Sequence, residues 1–367
     1  MKILTICDSF KGTLSSKEIG NIISEYYTKK QIECNYIPIS DGGEGFLDVI
    51  NNITKLDYNE TTVKGPLFKD TIAKYIYDEL EQTVYLELAE ASGLCKVSTE
   101  EKNAVLSSTY GLGQLMKYVI LNHKPKKIVL GIGGSATTDM GSGMLEAMGC
   151  EFIDENGFKI SHMNNINLMK IRKINTKAFK HLIKGIEFVT LSDVLNPAFG
   201  EKGTVKVFSP QKGATFEMFP VMERNVFHFH KVTYNTLKND HITDFPGAGA
   251  AGGVGYTMKH YFKSEIKSGI DTLLELIDFN QKVKEYDIII SGEGRIDSQS
   301  LDGKVISGIN NYHPKRLILI CGSTTIDDSQ FEIYPIVPLV ATIEESMNHP
   351  KESLLKLLDK INKVAIK

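Results

Sequence analysis

The sequence predicts an α/β protein in which a doubly wound parallel sheet is interrupted by a second, mixed α/β domain. Three observations predict it. Strand-like runs alternate with helical patterns at both ends of the chain, the mark of a parallel sheet. Between them lie three closely spaced strand-like runs that read as an antiparallel meander. The 367 residues also exceed one ordinary domain, so two are expected.

Residues 2–7 read as the first strand. Ser15 opens a helix, because Ser15 and Glu18 make a capping box and Ile19, Ile22, Ile23 and Tyr26 form an apolar stripe. Residues 35–39 read as a second strand, and DGGEG at 41–45 leads into a helix near Phe46. The meander occupies residues 60–64, 71–77 and 83–88, with GPLFKD and DELEQ as its turns. A helix over about 108–121 and strands at 127–131 and 187–191 follow. The βα alternation then returns, with strands at 287–290, 316–320 and 336–340 and a terminal helix from about Lys351. Two N-terminal and three C-terminal strands make one five-stranded domain from residues 1–57 and 263–367, with 58–262 inserted. No internal repeat or low-complexity segment interrupts this pattern.

Composition narrows the function. Hydrophobic residues make up 42% and charged residues 24%, the balance of a globular protein with a sizeable core. A net charge of −3 without a basic block offers no footprint for nucleic acid or an anionic membrane, although local loops can still bind an anion. The cysteines (Cys7, Cys34, Cys95, Cys150, Cys321) are odd in number and form no CxxC, which argues against a disulfide framework or zinc site. The N-terminal apolar run before Asp8 is too short for a signal peptide, and residues 336–343 are too short to span a bilayer. A cytoplasmic protein is expected. Only four of the 42 basic residues are arginines (Arg172, Arg224, Arg295, Arg316), so each raises the question of whether its fork geometry is needed.

Gly-rich clusters follow the expected strands: DSFKG (8–12), DGGEG (41–45), GIGGSATTDMGSG (131–143), GEGRIDSQSLDGK (292–304) and CGSTT (321–325). Ligands of open α/β sheets bind outside the carboxyl ends of the strands, where glycine lets backbone approach a ligand and a helix start offers N–H groups to phosphate. The best phosphate candidate is GIGGSATTDMGSG, with Gly133 and Gly134 in the turn and Ser135, Thr137 and Thr138 as further donors. Asp139 would cap the helix or hold a metal through water. Phosphoryl transfer also needs Mg²⁺, cations on the transferred group, and a carboxylate to orient or deprotonate the attacking hydroxyl. Asp8, Asp41, Glu44, Asp139, Asp193, Glu293 and Asp297 lie at expected strand ends or turns, with Lys11 and Arg295 as cations in the same loops.

Other patterns carry less. Gly247, Gly249 and Gly252 match GxGxxG literally but follow polar TDFP rather than a strand, which suits close helix packing or a hinge as well as a ligand. There is no Walker A sequence. His228 and His230 alternate as a strand would place them on one face, and the nine histidines show no metal-ligand spacing.

Taken in order, DSFKGTLSS (8–16), SDGGEGF (40–46), GIGGSATTDMGSGML (131–145), SDVLNPAFGEKG (192–203), FSPQKGA (208–214), PGAGAAGGVG (246–255) and SGEGRIDSQSLDGK (291–304) resemble the type 1 glycerate kinase family. The series covers essentially the whole chain. Thr138, Ser192 and Leu195 depart from the family's usual Asn, Cys and Asp, and the last leaves Asp193 without a second acid beside it. The resemblance implies a flavodoxin-like domain interrupted by the second, with ATP, Mg²⁺ and D-glycerate in an interdomain cleft and 2-phosphoglycerate as product. On that footing Asp193, Lys11 and Asp8 are the expected catalytic residues, and Arg295, Asp297 and Ser9 the substrate-binding ones. Gly133, Gly134, Ser135, Thr137, Gly292 and Gly294 are expected at the nucleotide, and Asp41, Glu44 and Asp139 at Mg²⁺. The competing readings are a phosphometabolite-binding regulator without turnover and a phosphatase of a small phosphoacid; loss of the acids, the mark of the first, is not seen.

Overall fold

In chain order the strands are β1 (Lys2–Cys7), β2 (Glu33–Tyr36), β3 (Tyr58–Lys64), β4 (Asp70–Asp78), β5 (Thr83–Glu87), β6 (Lys127–Gly131) and β7 (Glu151–Ile153). They continue with β8 (Lys159–Ile160), β9 (Lys173–Asn175), β10 (Glu187–Leu191), β11 (Glu265–Lys267), β12 (Ile288–Ile296), β13 (Leu317–Thr324) and β14 (Glu332–Pro335). The computed structural model describes residues 1–10, 12–40, 43, 45–238, 241–297, 305–326 and 331–365. Two compact units result: Met1–Asp41 with Asp48–Lys55 and Ser268–Lys367, and Gly42–Leu47 with Leu56–Lys267.

The first unit holds a five-stranded sheet in the order β14-β13-β12-β1-β2, with every pair parallel. Counted within the unit that order is 2-1-3-4-5, the flavodoxin-like winding. Alternation along β13 explains the two covered faces. Ile318 and Ile320 join the cluster made with Ile19, Ile23 and Tyr27 of helix Ser16–Thr28 and Leu354, Leu357 and Leu358 of helix Pro350–Val364. Leu319 and Cys321 pack with Ile306 and Ile296 instead. The expected capping box is present: Ser15 Oγ accepts from the Glu18 amide at 3.2 Å, and Glu18 Oε2 accepts from the Ser15 amide at 2.8 Å.

The second unit holds a six-stranded sheet in the order β11-β10-β6-β5-β4-β3. The meander β3-β4-β5 is antiparallel, whereas β5, β6, β10 and β11 run parallel. A small antiparallel sheet, β8-β7-β9, lies outside the sequence-based expectation. Val84, Leu86, Ile128 and Leu130 share a core with Leu112, Leu115, Met116 and Val119 of helix Tyr110–His123.

Several expectations shift. Gly43 and Gly45 fall with the second unit, because Gly43 packs on Gly133 and the Gly45 and Leu47 amides donate to Glu87. β12 does not stop at Ile290 but continues through Glu293 and Arg295, paired with β13 as far as Ile296↔Thr324. Residues 336–340 form a turn, closed by the Val340 amide on the Ile336 carbonyl, and the edge strand is Glu332–Pro335. His228 and His230 lie on helix Phe219–Leu237, not on a strand. There Met222, Val226 and Phe229 recur at helical spacing and bury, and that stripe outweighs the short histidine alternation. No described helix is long and apolar enough to cross a membrane.

Candidate active site

The parallel register of the second unit aligns Glu87, Gly131, Leu191 and Lys267 in one row at the carboxyl ends of β5, β6, β10 and β11. The loops bearing Gly133, Gly134 and Asp193 therefore leave the sheet side by side. A Cβ on Gly133 would stand 2.2 Å from Gly43 Cα, so two Gly-rich loops touch backbone to backbone. Glu87, buried at the end of β5, accepts from the Gly45 and Leu47 amides at 3.1 and 3.2 Å and anchors the start of helix Phe46–Thr54. At the turn itself Gly134 has φ +70°, a conformation that favours glycine, and it is exposed.

Beyond Gly134 the segment dives inward, and here the structure corrects the sequence reading. Ser135 and Thr137 were expected to donate to phosphate. Ser135 is 6% exposed, Thr137 is fully buried, and both are engaged by Lys212. The Lys212 ammonium, 2% exposed, donates to Ser135 Oγ at 2.7 Å and to the Thr137 carbonyl at 2.6 Å. Burial lowers its pKa from 10.5 to about 7, against the opposing pull of the Asp139 charge. Sequence reasoning assigned Lys212 no role. The available signal was a lysine held between Pro210 and Gly213 in FSPQKGA, where Gly213 has φ +93° and a Cβ would meet the Lys102 carbonyl at 2.4 Å.

Asp139 is likewise corrected. It is fully buried, and Oδ2 accepts from the Thr109 amide (2.9 Å), the Thr109 hydroxyl (2.8 Å) and the Gly143 amide (3.1 Å). Oδ1 accepts from the Gly141 amide at 3.1 Å. Burial raises its pKa and these hydrogen bonds oppose the rise. It ties the starts of helices Tyr110–His123 and Ser142–Ala147 together, which is cap work rather than metal ligation.

The literal GxGxxG is packing. The Asn196 carbonyl accepts from the Gly247 and Gly249 amides at 3.2 and 2.9 Å, and a Cβ on Gly249 would stand 2.2 Å from the Pro197 carbonyl. Ala251, Gly252 and Gly253 all have positive φ, and a Cβ on Gly252 would stand 1.9 Å from the Thr137 carbonyl. These glycines thus clamp the loop after β10 and the segment after Gly134. Asp244 completes the clamp by accepting from the Ala198 and Phe199 amides at 2.8 and 3.3 Å. Asp193, half-buried, sits in the loop so fixed.

In the first unit, Cys7 pairs with Gly292, and the Asp8 amide donates to the Gly292 carbonyl at 2.8 Å. Asp8 is 8% exposed and its Oδ1 accepts from the Ser9 amide at 2.7 Å. Gly292 is a sheet residue rather than a nucleotide-facing one: a Cβ there would lie 1.8 Å from the Ile320 carbonyl. The pleat of β12 puts Glu293 and Arg295 on the face opposite buried Ile296, with Gly294 and Glu293 half-buried and Arg295 exposed. Asp297, half-buried, follows the strand. Lys11, Asp41 and Glu44, and residues 298–304 of GEGRIDSQSLDGK, lie outside the described residues. Among the described residues no group of three or more His, Cys, Asp or Glu is placed to hold a metal ion.

A flavodoxin-ordered sheet, a second, mixed sheet whose parallel strands carry an exposed glycine turn at their carboxyl edge, and carboxylates with an arginine near strand ends are parts that a phosphoryl-transfer enzyme of the α/β class uses. Comparison with known proteins gives the family. The glycerate kinase family model matches residues 3–366, and this chain belongs to that family of ATP-using kinases. It is 34% identical over 363 residues to the glycerate kinase of Bacillus subtilis strain 168, covering 96% of this chain and 94% of that one. It is 32% identical over 368 residues to the glycerate 2-kinase of Escherichia coli K12, covering 97% and 96%. A solved structure from Salmonella typhimurium LT2, described as a glycerate kinase 2, superposes with a TM-score of 0.78 at 28% identity, covering 99% of this chain and 97% of that one. The chain is thus an enzyme of ATP-dependent glycerate phosphorylation.

Proposed function

We propose that this chain transfers the γ-phosphoryl group of ATP to the 2-hydroxyl of D-glycerate, giving 2-phosphoglycerate and ADP. The observation that carries the reading is the exposed Gly133–Gly134 turn at the end of β6, backed by the Gly43 backbone. Glycine at both positions keeps side chains from occupying the space a nucleotide phosphate would fill. Asp193 accepts the proton of the attacking hydroxyl. As the new O–P bond forms, the bond to the β–γ bridging oxygen breaks and ADP leaves with the electron pair. Arg295 grips the glycerate carboxylate with its fork, Asp297 and Ser9 bind the hydroxyls, and Gly294 serves the nucleotide. Asp8 and Lys11 stabilise the transferring group and the residues around it.

Asp41 and Glu44 would hold Mg²⁺, which would supply positive charge to offset that of the nucleotide phosphates. Of the carboxylates expected to receive it, Asp41 and Glu44 keep that proposed role, while enclosed Asp139 does not. Among the described residues no disulfide joins the cysteines, which suits a reducing compartment such as the cytoplasm. The test is a coupled ADP assay with D-glycerate, followed by phosphorus NMR of the product. Background turnover by folded protein overturns the reading, and a 3-phosphate product overturns the regiochemistry.

A further inference from the structure

Lys212 is a buried basic group that the reaction proposed above does not use. Burying an ammonium costs free energy unless its donors are met. Its two acceptors, Ser135 Oγ and the Thr137 carbonyl, both lie on the segment that emerges as the Gly133–Gly134 turn. Backbone bonds tie part of it to residues 92–94, from the Leu94 amide to the Gly134 carbonyl (2.8 Å) and from the Ala136 amide to the Ser92 carbonyl (2.9 Å), but its threonine hydroxyls do not help to hold it. Thr137 Oγ1 and Thr138 Oγ1 are buried and make no hydrogen bond with the described residues. From the other side the Thr137 carbonyl abuts Gly252, so the segment is pinned between a glycine and a lysine.

We propose that Lys212 is a positioning residue for ATP: it holds Ser135 and Thr137 so that the Gly133–Gly134 turn receives a nucleotide phosphate, and it places a positive charge behind that turn. The proposal rests on the reading that phosphate binds there. A consequence concerns protons. Burial depresses the Lys212 pKa to about 7, and the neighbouring Asp139 carboxylate works against that depression. A phosphate at the turn would act in the same direction as Asp139 and favour the ammonium form. Nucleotide binding then takes up a proton near neutrality, and ATP is bound less well as pH rises through that range.

The experiment measures KM for ATP, KM for D-glycerate and kcat of the whole chain as wild type, Lys212→Met, Ser135→Ala and Gly134→Ala, with folding checked by circular dichroism. Lys212→Met is expected to raise KM for ATP about tenfold or more while KM for glycerate stays within about twofold. Ser135→Ala, which keeps the charge and removes one contact, should give a smaller rise of the same kind. In the wild type kcat/KM for ATP should fall between about pH 6 and about pH 8.5, and Lys212→Met should abolish that fall. A folded Lys212→Met enzyme with unchanged KM for ATP, or with both KM values raised alike, overturns the proposal. Should Lys212→Met not fold, a flat wild-type profile or an unaffected Ser135→Ala enzyme does the same. Gly134→Ala separates the two levels: if it leaves KM for ATP unchanged, the phosphate-turn reading fails. If it raises that KM while Lys212→Met does not, only the role of Lys212 fails.

Discussion

The carboxyl end of β6 and the carboxyl end of β12 look alike in sequence and are opposites in structure. Both follow parallel strands and both mix glycine with acids, hydroxyls and a cation partner. After β6 the chain leaves the sheet at once, and Ser135, Thr137, Thr138 and Asp139 all turn inward. Lys212 meets Ser135 Oγ and the Thr137 carbonyl, and Thr109 with the Gly141 and Gly143 amides meets Asp139, leaving Gly133 and Gly134 to meet solvent. At β12 the chain stays in the sheet for six residues beyond the expected end at 290, and the pleat keeps Arg295 exposed. Glycine and polar residues at a strand end therefore mark a candidate site without saying which polar groups serve a ligand. Burial says that.

The comparison breaks most visibly through the glycines. Gly252→Ala places a methyl 1.9 Å from the Thr137 carbonyl at a residue with φ +70°, so loss of the native fold or about 3 kcal/mol of destabilisation is expected in denaturant unfolding. Gly12 has φ +86° but nothing within 4 Å of its would-be Cβ, so Gly12→Ala should cost only about 1–2 kcal/mol, the left-handed penalty alone. Equal losses would mean that conformation, not close approach, explains both sites.

Asp193→Asn tests whether the clamped loop after β10 presents a proton acceptor. The amide keeps the shape, so stability should hold while kcat falls by roughly 10²–10⁴. Near-normal kcat would move the role to Asp8, Asp41 or Asp297.

Proton binding distinguishes the buried cation from the exposed one. Lys212 has a folded pKa of about 7 against an ordinary 10.5, so between those values the unfolded chain binds more protons. Stability of the second unit should therefore rise with pH across that window and level off above it, and Lys212→Met should remove this part of the rise. Urea midpoints measured across the window check the sign. A midpoint that falls with pH, unaltered by the mutation, would show that Lys212 is charged in the folded state throughout.

Arg295→Lys should have the least effect on stability, within about 0.5 kcal/mol, because the side chain is exposed on the pleat of β12. Loss of the fork should raise KM for glycerate with kcat little changed if the carboxylate is what it grips. A fall in kcat instead would assign the arginine to the transferring phosphoryl group.

Local pattern was enough for much of this protein. The capping box at Ser15, the meander and the strands β1, β6 and β10 are legible because side-chain periodicity and turn chemistry act over a few residues. The Gly-rich turn after β6 was placed correctly at a strand end for the same reason, whereas residues 292–296 and 321–324 run on inside β12 and β13. Burial is decided elsewhere. Lys212 reaches Ser135 across 77 residues and Thr137 across 75, and no window of sequence contains both partners. The extension of β12 depends on β13 running beside it, with Gly292 small enough to pass the Ile320 carbonyl. His228 and His230 follow the helix because Met222, Val226 and Phe229 find a core to enter. Sequence determined the strands, helices and turns that short-range pattern governs; only tertiary packing decided how far β12 runs and which polar groups face inward, because desolvation depends on neighbours far away along the chain.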